Sequence, residues 1–392
     1  MQTIKKLLSL CLCMMIAFGC AMAYAEDFAV SDELTEEEKA EWTEWAESEL
    51  YEASASSNST AENAAELTPE DEAFMNQRAA NLDDATMDME VDLINLEINA
   101  ALPDHVTNIL LIGIDNRSEE LVSGRNDANI ICSINRSTGE ITLTSIGRDT
   151  AVEVPGYSSR KRLNTSFKYG SADGDITKGA ELAMKTVNRN FQMNISRYVV
   201  VNIHGLADII EAIGGVDMYL TKSEASAINY ELFVKEPMGS NAGRTKLKQA
   251  EGVQHLDGMQ AVTYGRIRNL KGQNDLNRNS RQRVLLETLL KTVIGDMDIM
   301  KLMTLIETAL PYARTNLTLD EMVTLGMAVI SGDTMKKAAE GGELLKQFGI
   351  PVEKQYTWKG FDGASLLYIN EERLAKTVAT MQELIYGQSY LP

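Results

Sequence analysis

The run Asn108-Ile-Leu-Leu-Ile-Gly-Ile-Asp115 constrains this chain most. Its apolar residues follow one another without polar alternation, so it reads as a buried strand, and its sheet needs helices on both faces. The strand ends around Gly113 and presents Asp115 at its C-terminal edge, where open sheets place ligand chemistry. Downstream, Arg125-Asn126-Asp127 precedes a second apolar strand from Asn129 to Ile134. A turn at Asn135-Arg136-Ser137-Thr138-Gly139 and a return strand from Glu140 to Ile146 complete a hairpin. Asp127 and Arg148 flank its open end, so they are expected to be neighbours in space. Further strands are predicted at 197–202 and 216–220, and helices at 177–190, 204–213, 257–264, 276–295 and 318–330. Together these give an α/β (α+β) domain, a central mixed sheet flanked by helices on both faces.

A second cluster lies in Tyr264-Gly265-Arg266-Ile267-Arg268, followed by Asp275, Arg278, Arg281 and Gln282. On a helix starting near Leu276, Arg278, Arg281 and Gln282 fall at i, i+3 and i+4 and leave from one face. Each guanidinium is a planar fork of donors matched to carboxylate or phosphate oxygens, so several converging arginines point to a polyanionic ligand. Asp115 and Asp127 beside them suit Mg²⁺, which prefers hard oxygen ligands and takes one or two of them from protein carboxylates. Taken singly these features have plain readings, Asp115 as a turn cap and Arg125 with Asp127 as a surface pair. Arg281 and Arg283 read as solvated helix charges and stay outside the candidate site. Tyr264, Ile267 and Leu285 read as core. His105, His204 and His255 have no partners at metal spacing, which leaves no zinc or histidine chemistry to expect.

Asp115, Arg125-x-Asp127, Ser145-Ile-Gly-Arg148-Asp149-Thr150, Leu163-Asn164 with Tyr169-Gly170, Ile213-Gly214-Gly215-Val216, Leu256-Asp-Gly258-x-Gln260-Ala261, Tyr264-x-Arg266-x-Arg268 and Asp275-x-x-Arg278-x-x-Arg281-Gln282 follow one another in an order that resembles the LytR-CpsA-Psr family. The resemblance runs from about Pro103 to the C-terminus. It takes in Thr315-Asn-Leu-Thr318, an expected edge strand near Tyr356, Gly363 to Leu367, and a last helix ending at Tyr386-Gly387.

This resemblance implies an extracytoplasmic phosphotransferase. Such a protein works at the membrane surface, holds a polyprenyl-pyrophosphate-linked glycopolymer with its lipid tail in a hydrophobic pocket, and passes the polymer with one phosphate to a hydroxyl of peptidoglycan. It implies Mg²⁺ on Asp115 and Asp127, and a pyrophosphate-binding and catalytic set of Arg125, Arg148, Arg266, Arg268, Arg278 and Gln282, with Asp275 beside them. Three positions depart from the family pattern: Gly147 for proline, Asn126 for serine and Gly265 for alanine. Gly147 matters most, because losing a proline loosens the backbone that aims Arg148. Two other readings use the same residues, a non-catalytic polyprenyl-phosphate binder or envelope regulator, and a pyrophosphatase with water as acceptor.

The resemblance also implies the cell envelope of a Gram-positive bacterium, and the rest of the sequence agrees with a secreted or membrane-anchored protein. Lys5 and Lys6, an apolar run to about Met22 and Ala23-Tyr24-Ala25 have the order of a signal peptide over residues 1–25, with a retained signal anchor as the alternative. Ala17-Phe18-Gly19 before Cys20 matches a lipobox poorly. Three of the 4 cysteines lie in this leader, which leaves Cys132 alone on an apolar strand as a small core residue. Residues 26–101 are expected to form an acidic, partly helical spacer before a catalytic domain at 102–392. Between residues 26 and 100 stand 23 Asp and Glu against Lys39 and Arg78, so the net charge of −20 resides there. Thr35-x-x-Glu38 and Thr68-Pro69-x-Asp71 read as helix starts in this segment, and Trp42 and Trp45 as packing residues. An acidic chain behind a leader lacks the basic footprint of a nucleic-acid binder.

Overall fold

The computed structural model describes residues 40, 43, 45–46, 64–77, 87–115, 120–235, 244–267, 270, 275–295, 312–332, 345–361 and 364–391. The expected leader and Arg268 lie outside the described residues. The strands are β1 (Val106–Ile114), β2 (Asn126–Asn135), β3 (Ile141–Ile146), β4 (Ala151–Val152), β5 (Lys161–Arg162), β6 (Arg197–Asn202), β7 (Val216–Leu220), β8 (Gly252–Leu256), β9 (Ala313–Thr315), β10 (Leu345–Ile350), β11 (Thr357–Phe361) and β12 (Ala364–Tyr368). The helices used below are α1 (Pro69–Gln77), α2 (Ser166–Gly170), α3 (Ile176–Phe191), α4 (Ile203–Ala212), α5 (Lys222–Tyr230), α6 (Gly258–Tyr264), α7 (Asp275–Gly295), α8 (Leu319–Ser331) and α9 (Glu371–Tyr386).

Six strands form the central sheet in the order β10-β3-β2-β1-β6-β9. The sheet is mixed: β1 pairs with β2 antiparallel and with β6 parallel, and β3 pairs with β10 parallel. Successive β1 residues feed two different cores. Ile109 and Leu111 face one way, with Ile130, Cys132 and Val201, against Ile210 of α4, Val262 of α6, Leu289 of α7 and Leu325 of α8. Leu110, Ile112 and Ile114 face the other, with Ile131 and Val200, against Leu182 and Val187 of α3 and Met381 of α9. Period-two alternation with both faces buried explains why β1 carries no polar alternation.

The expected strand at 216–220 forms as β7, but it pairs with β8 in a separate two-stranded ribbon. The expected edge strand near Tyr356 is instead the hairpin β11–β12, while β10 closes one edge of the main sheet. Short, half-polar strands such as β9 and β10 carry little periodic signal, and their pairing is set by long-range contacts.

Residues 64–77 and 87–101, the described part of the acidic approach to the domain, lie against it. The N–H of Ala65 donates to the carbonyl of Tyr356 at 2.6 Å. Asp71, fully buried, is paired with Arg373 at 3.0 Å, and Phe74 stacks on Tyr368 with ring centroids 3.9 Å apart. Leu93 and Leu96 pack on the α3 core, and Arg189 grips both oxygens of Glu97 at 2.7 and 2.6 Å. Trp45 meets Tyr230 of α5 edge to face at 6.5 Å. Among the described residues, no helix is long and apolar enough to cross a membrane.

Candidate active site

The bulge at the end of β1 assembles the carboxylates. Pairing between β1 and β2 shifts between Gly113 and Ile114, and the N–H groups of Asp115 and Asp127 both donate to the carbonyl of Arg125 at 3.1 Å. One backbone acceptor therefore fixes both acidic residues at the same corner. Glycine is required at 113, since a Cβ there would lie 2.8 Å from Ala128 Cβ.

Arg148 reaches this corner from the loop after β3. Its Nη1 donates to Asp127 Oδ2 at 2.8 Å, the contact that the hairpin predicts. The other oxygen of Asp127 accepts from Asn164 Nδ2 at 3.0 Å. Behind Arg148, the buried Asp149 lies between two guanidinium groups, 3.5 Å from Arg148 Nε and 3.3 Å from Arg162 Nη1. The backbone here is held by a bond that proline could not make, because the N–H of Gly147 donates to the carbonyl of Ile350 at 2.7 Å. The glycine that stands for the family's proline is thus anchored through its donor. Asn126, the other nearby departure, is fully buried, and its amide donates to the carbonyl of Leu163 and to Ser166 Oγ, tying β2 to α2.

Helices α6 and α7 supply the cationic side. Asp257 and Gln260 close a capping box at the start of α6 and fix its direction. Just past its end, Arg266 Nη2 donates to Asp115 at 2.9 Å. Arg278 leaves α7 almost entirely buried, at 1 % exposure. Asp275 is the first residue of α7.

Asp115, Asp127, Arg266, Arg278 and Gln282 all line one cavity of about 110 Å³. Apart from Asn202 its remaining wall is apolar and includes Leu111, Ala128, Val201, Leu206, Val262 and Leu286, from the sheet on one side and α4, α6 and α7 on the other. Arg266 and Asp115, 29 % and 30 % exposed, give this cavity a charged mouth, and most of its other lining is apolar. Arg125 meets this corner through its carbonyl, and Arg148 meets it through Asp127. A larger groove of about 620 Å³ lies on the far side of α4 and α6. Its Arg244 is paired with Asp257 at 2.8 Å and its Glu211 caps Gly258, so its polar groups serve the fold.

Two helix charges read as solvated are not. Arg281 is buried, 3.2 Å from Glu224, and donates to the carbonyl of Ile267 at 3.0 Å, tying α7 to the residue after Arg266. Arg283 donates to Ser145 of β3 and to Gln347 of β10, and burial pushes its pKa down. Helix periodicity gave the face of each arginine but not what packs on that face. Cys132 is buried as expected, and burial pushes its thiol pKa up.

Asn164 and the apolar wall of the cavity carried no functional assignment from sequence. Asn164 stands in a motif yet bears no charge to mark its role, and wall residues share the periodicity of ordinary core.

Comparison with known proteins places the fold and the family. The chain is 26 % identical over 272 residues to the polyisoprenyl-teichoic acid–peptidoglycan teichoic acid transferase TagU of Enterococcus faecalis, covering 69 % of this chain and 76 % of that one. It is 33 % identical over 218 residues to TagU of Oceanobacillus iheyensis, covering 56 % of this chain and 61 % of that one. A solved structure of TagT bound to LI-WTA superposes with a TM-score of 0.55 at 20 % identity, over 76 % of this chain and 99 % of the other. TagT with bound octaprenyl pyrophosphate lipid gives 0.52 at 19 %, over 76 % and 99 %. A sequence model of the LytR_cpsA_psr family matches residues 71–383, and the chain belongs to that family.

Proposed function

We propose that this chain moves a glycopolymer of the teichoic acid class, with one phosphate, from a polyprenyl pyrophosphate to a hydroxyl of peptidoglycan at the cell envelope, with Mg²⁺. One observation carries the reading: a single cavity joins an apolar lining to a mouth of Asp115, Asp127 and Arg266, with the buried Arg278 also lining it. An amphiphile with a hydrocarbon tail and a polyanionic head is the ligand class that satisfies both ends. The transferase names of the relatives and the octaprenyl pyrophosphate bound by TagT support it.

The donor set fits magnesium. Asp115 and Asp127 put hard carboxylate oxygens at one mouth, 30 % and 13 % exposed, beside arginines suited to the phosphates that would complete the shell. When bound there, Mg²⁺ would neutralise charge developing on the phosphate oxygens. The chain's own residues do the rest. Arg266 and Arg278 grip the diphosphate, and the apolar wall holds the tail and excludes water from the reacting phosphorus. The acceptor hydroxyl attacks the polymer-bearing phosphorus and the bond to the bridging oxygen breaks. Polyprenyl phosphate departs with those electrons, while a mouth carboxylate takes the hydroxyl proton. Asp115, the more exposed, is the better placed to meet an acceptor arriving from solvent.

The test is transfer of a labelled lipid-linked teichoic acid precursor to peptidoglycan by the full chain, with Mg²⁺ and with chelator. Metal-dependent attachment lost in Asp115→Ala and Asp127→Ala is expected. Lipid binding without attachment under any condition would assign the chain to the non-catalytic binders, and phosphate release without attachment would make it a pyrophosphatase.

A further inference from the structure

Asn202 stands at the same sheet edge as the site carboxylates. Strands β1 and β6 run parallel with Ile114 opposite Asn202, so the last residue of β6 lies beside the residue that precedes Asp115. Open parallel sheets place ligand chemistry at this C-terminal edge. Asn202 is buried, at 3 % exposure, and it lines the cavity together with Ile203 and Leu206 of α4.

Its amide makes two bonds that do different work. Oδ1 accepts from the N–H of Gly205 at 2.7 Å and caps α4. Nδ2 donates to the carbonyl of Glu120 at 3.1 Å. A cap needs the oxygen alone, and serine or aspartate would supply one as well. What asparagine adds is a separate amide donor. That donor meets the chain on its return from β1 to β2. Residues 120–125 are held by Asn202 at Glu120 and by Ser171 Oγ at Ser123 Oγ, 2.7 Å away. At their other end the carbonyl of Arg125 accepts from the N–H groups of Asp115 and Asp127. The stretch that carries the acceptor aligning both carboxylates is thus tied at its far end to the cavity wall.

We propose that Asn202 is a positioning residue for phosphoryl transfer: through Glu120 it holds residues 120–125, and with them Asp115 and Asp127, in place against the start of α4. This rests on the transferase reading above and adds the residue that steadies the carboxylates from the β6 side.

The test compares the full chain with Asn202→Ser and Asn202→Ala. Serine keeps a cap oxygen and loses the amide donor, whereas alanine loses both. In hydrogen exchange, peptides covering residues 120–127 should exchange faster in both variants, while α4 should loosen in Asn202→Ala alone. In the transfer assay with saturating Mg²⁺, kcat should fall about tenfold in both variants, the low end for losing an outer partner of a site, with KM for the lipid donor within about twofold. An Asn202→Ser chain with native exchange at 120–127 and native kcat makes Asn202 a helix cap and overturns the proposal. Faster exchange with native kcat, or a loss confined to KM, overturns its part in the transfer. These outcomes leave the transferase reading in place. A native chain that transfers nothing, while residues 120–127 still loosen in Asn202→Ser, overturns that reading and the catalytic role of the tether with it.

Discussion

Asn164 and Arg148 close a ring around Asp127. The N–H of Asn164 donates to the carbonyl of Arg148 at 3.0 Å, its side-chain amide donates to Asp127 Oδ1 at 3.0 Å, and Arg148 Nη1 donates to Asp127 Oδ2 at 2.8 Å. Each member fixes the other two, so neither the carboxylate nor the guanidinium turns independently.

The first prediction tests that ring. Asn164→Ala removes a neutral donor and leaves both charged partners in contact. Transfer should fall by about 10- to 100-fold, the usual effect of losing an outer partner of a site carboxylate. Lipid pyrophosphate binding should stay within a few fold, because Arg266 and Arg278 remain. A loss that appears wholly in KM would show that Asn164 serves binding and not orientation.

A second prediction concerns Gly147. The family resemblance suggests that proline there would tighten the backbone, yet its N–H bonds to Ile350 at 2.7 Å and a Cβ would sit 3.3 Å from Pro351 Cδ. Gly147→Pro should therefore destabilise the chain by about 1 kcal/mol or more, one backbone hydrogen bond plus crowding. Gly147→Ala keeps the donor and should cost less. Urea denaturation of both variants decides, and a stabilised proline variant would refute the anchoring argument.

Much of this was legible in the sequence, for reasons that can be named. Helices α6 and α7, expected at 257–264 and 276–295, form at Gly258–Tyr264 and Asp275–Gly295, because helix signals are local. Asp127 and Arg148 were placed together because a hairpin must close. Arg281 misled because helix spacing reports direction and not neighbours: its partner Glu224 lies on α5, far away in sequence. Strand β10 was missed because Leu345–Ile350 pairs in parallel with β3 across a long sequence separation. The acidic run before the domain hid its contacts, since Leu93, Leu96 and Phe74 pack on partners far away in sequence and show no local sign of them.

The third prediction is a pH effect. Glu97 accepts two bonds from Arg189, with Lys185 nearby, and these hold its carboxyl below the usual glutamate range. A group whose pKa is lower when folded contributes stability fully above its unfolded value, about 4.3, and loses it as pH falls through the folded value. Glu97→Gln should thus be less stable than the native chain at pH 7, with the gap closing below about pH 4. Denaturant midpoints from pH 3 to 7 measure it, and a gap independent of pH would assign the effect to packing.

The last prediction asks whether residues 64–101 belong to the folded unit. Asp71 is fully buried, receives Thr68 N–H and Oγ1 at 2.8 Å each, and pairs with Arg373, which is 15 % exposed and also donates to the carbonyl of Glu66. Removing one member of such a pair leaves the other charge poorly solvated, a cost of about 3 kcal/mol at the low end for buried pairs. Asp71→Ala should lose roughly that much in urea. Asp71→Leu with Arg373→Met should recover most of it, because an apolar pair of similar volume avoids the stranded charge. A chain beginning at residue 102 loses this pair, the Glu97–Arg189 pair and the cover over the α3 core together, so it should unfold at markedly lower denaturant or fail to fold. If that truncated chain instead melts with the full chain and Asp71→Ala costs less than about 0.5 kcal/mol, the range of an ordinary surface change, the segment is a tether that happens to lie on the domain.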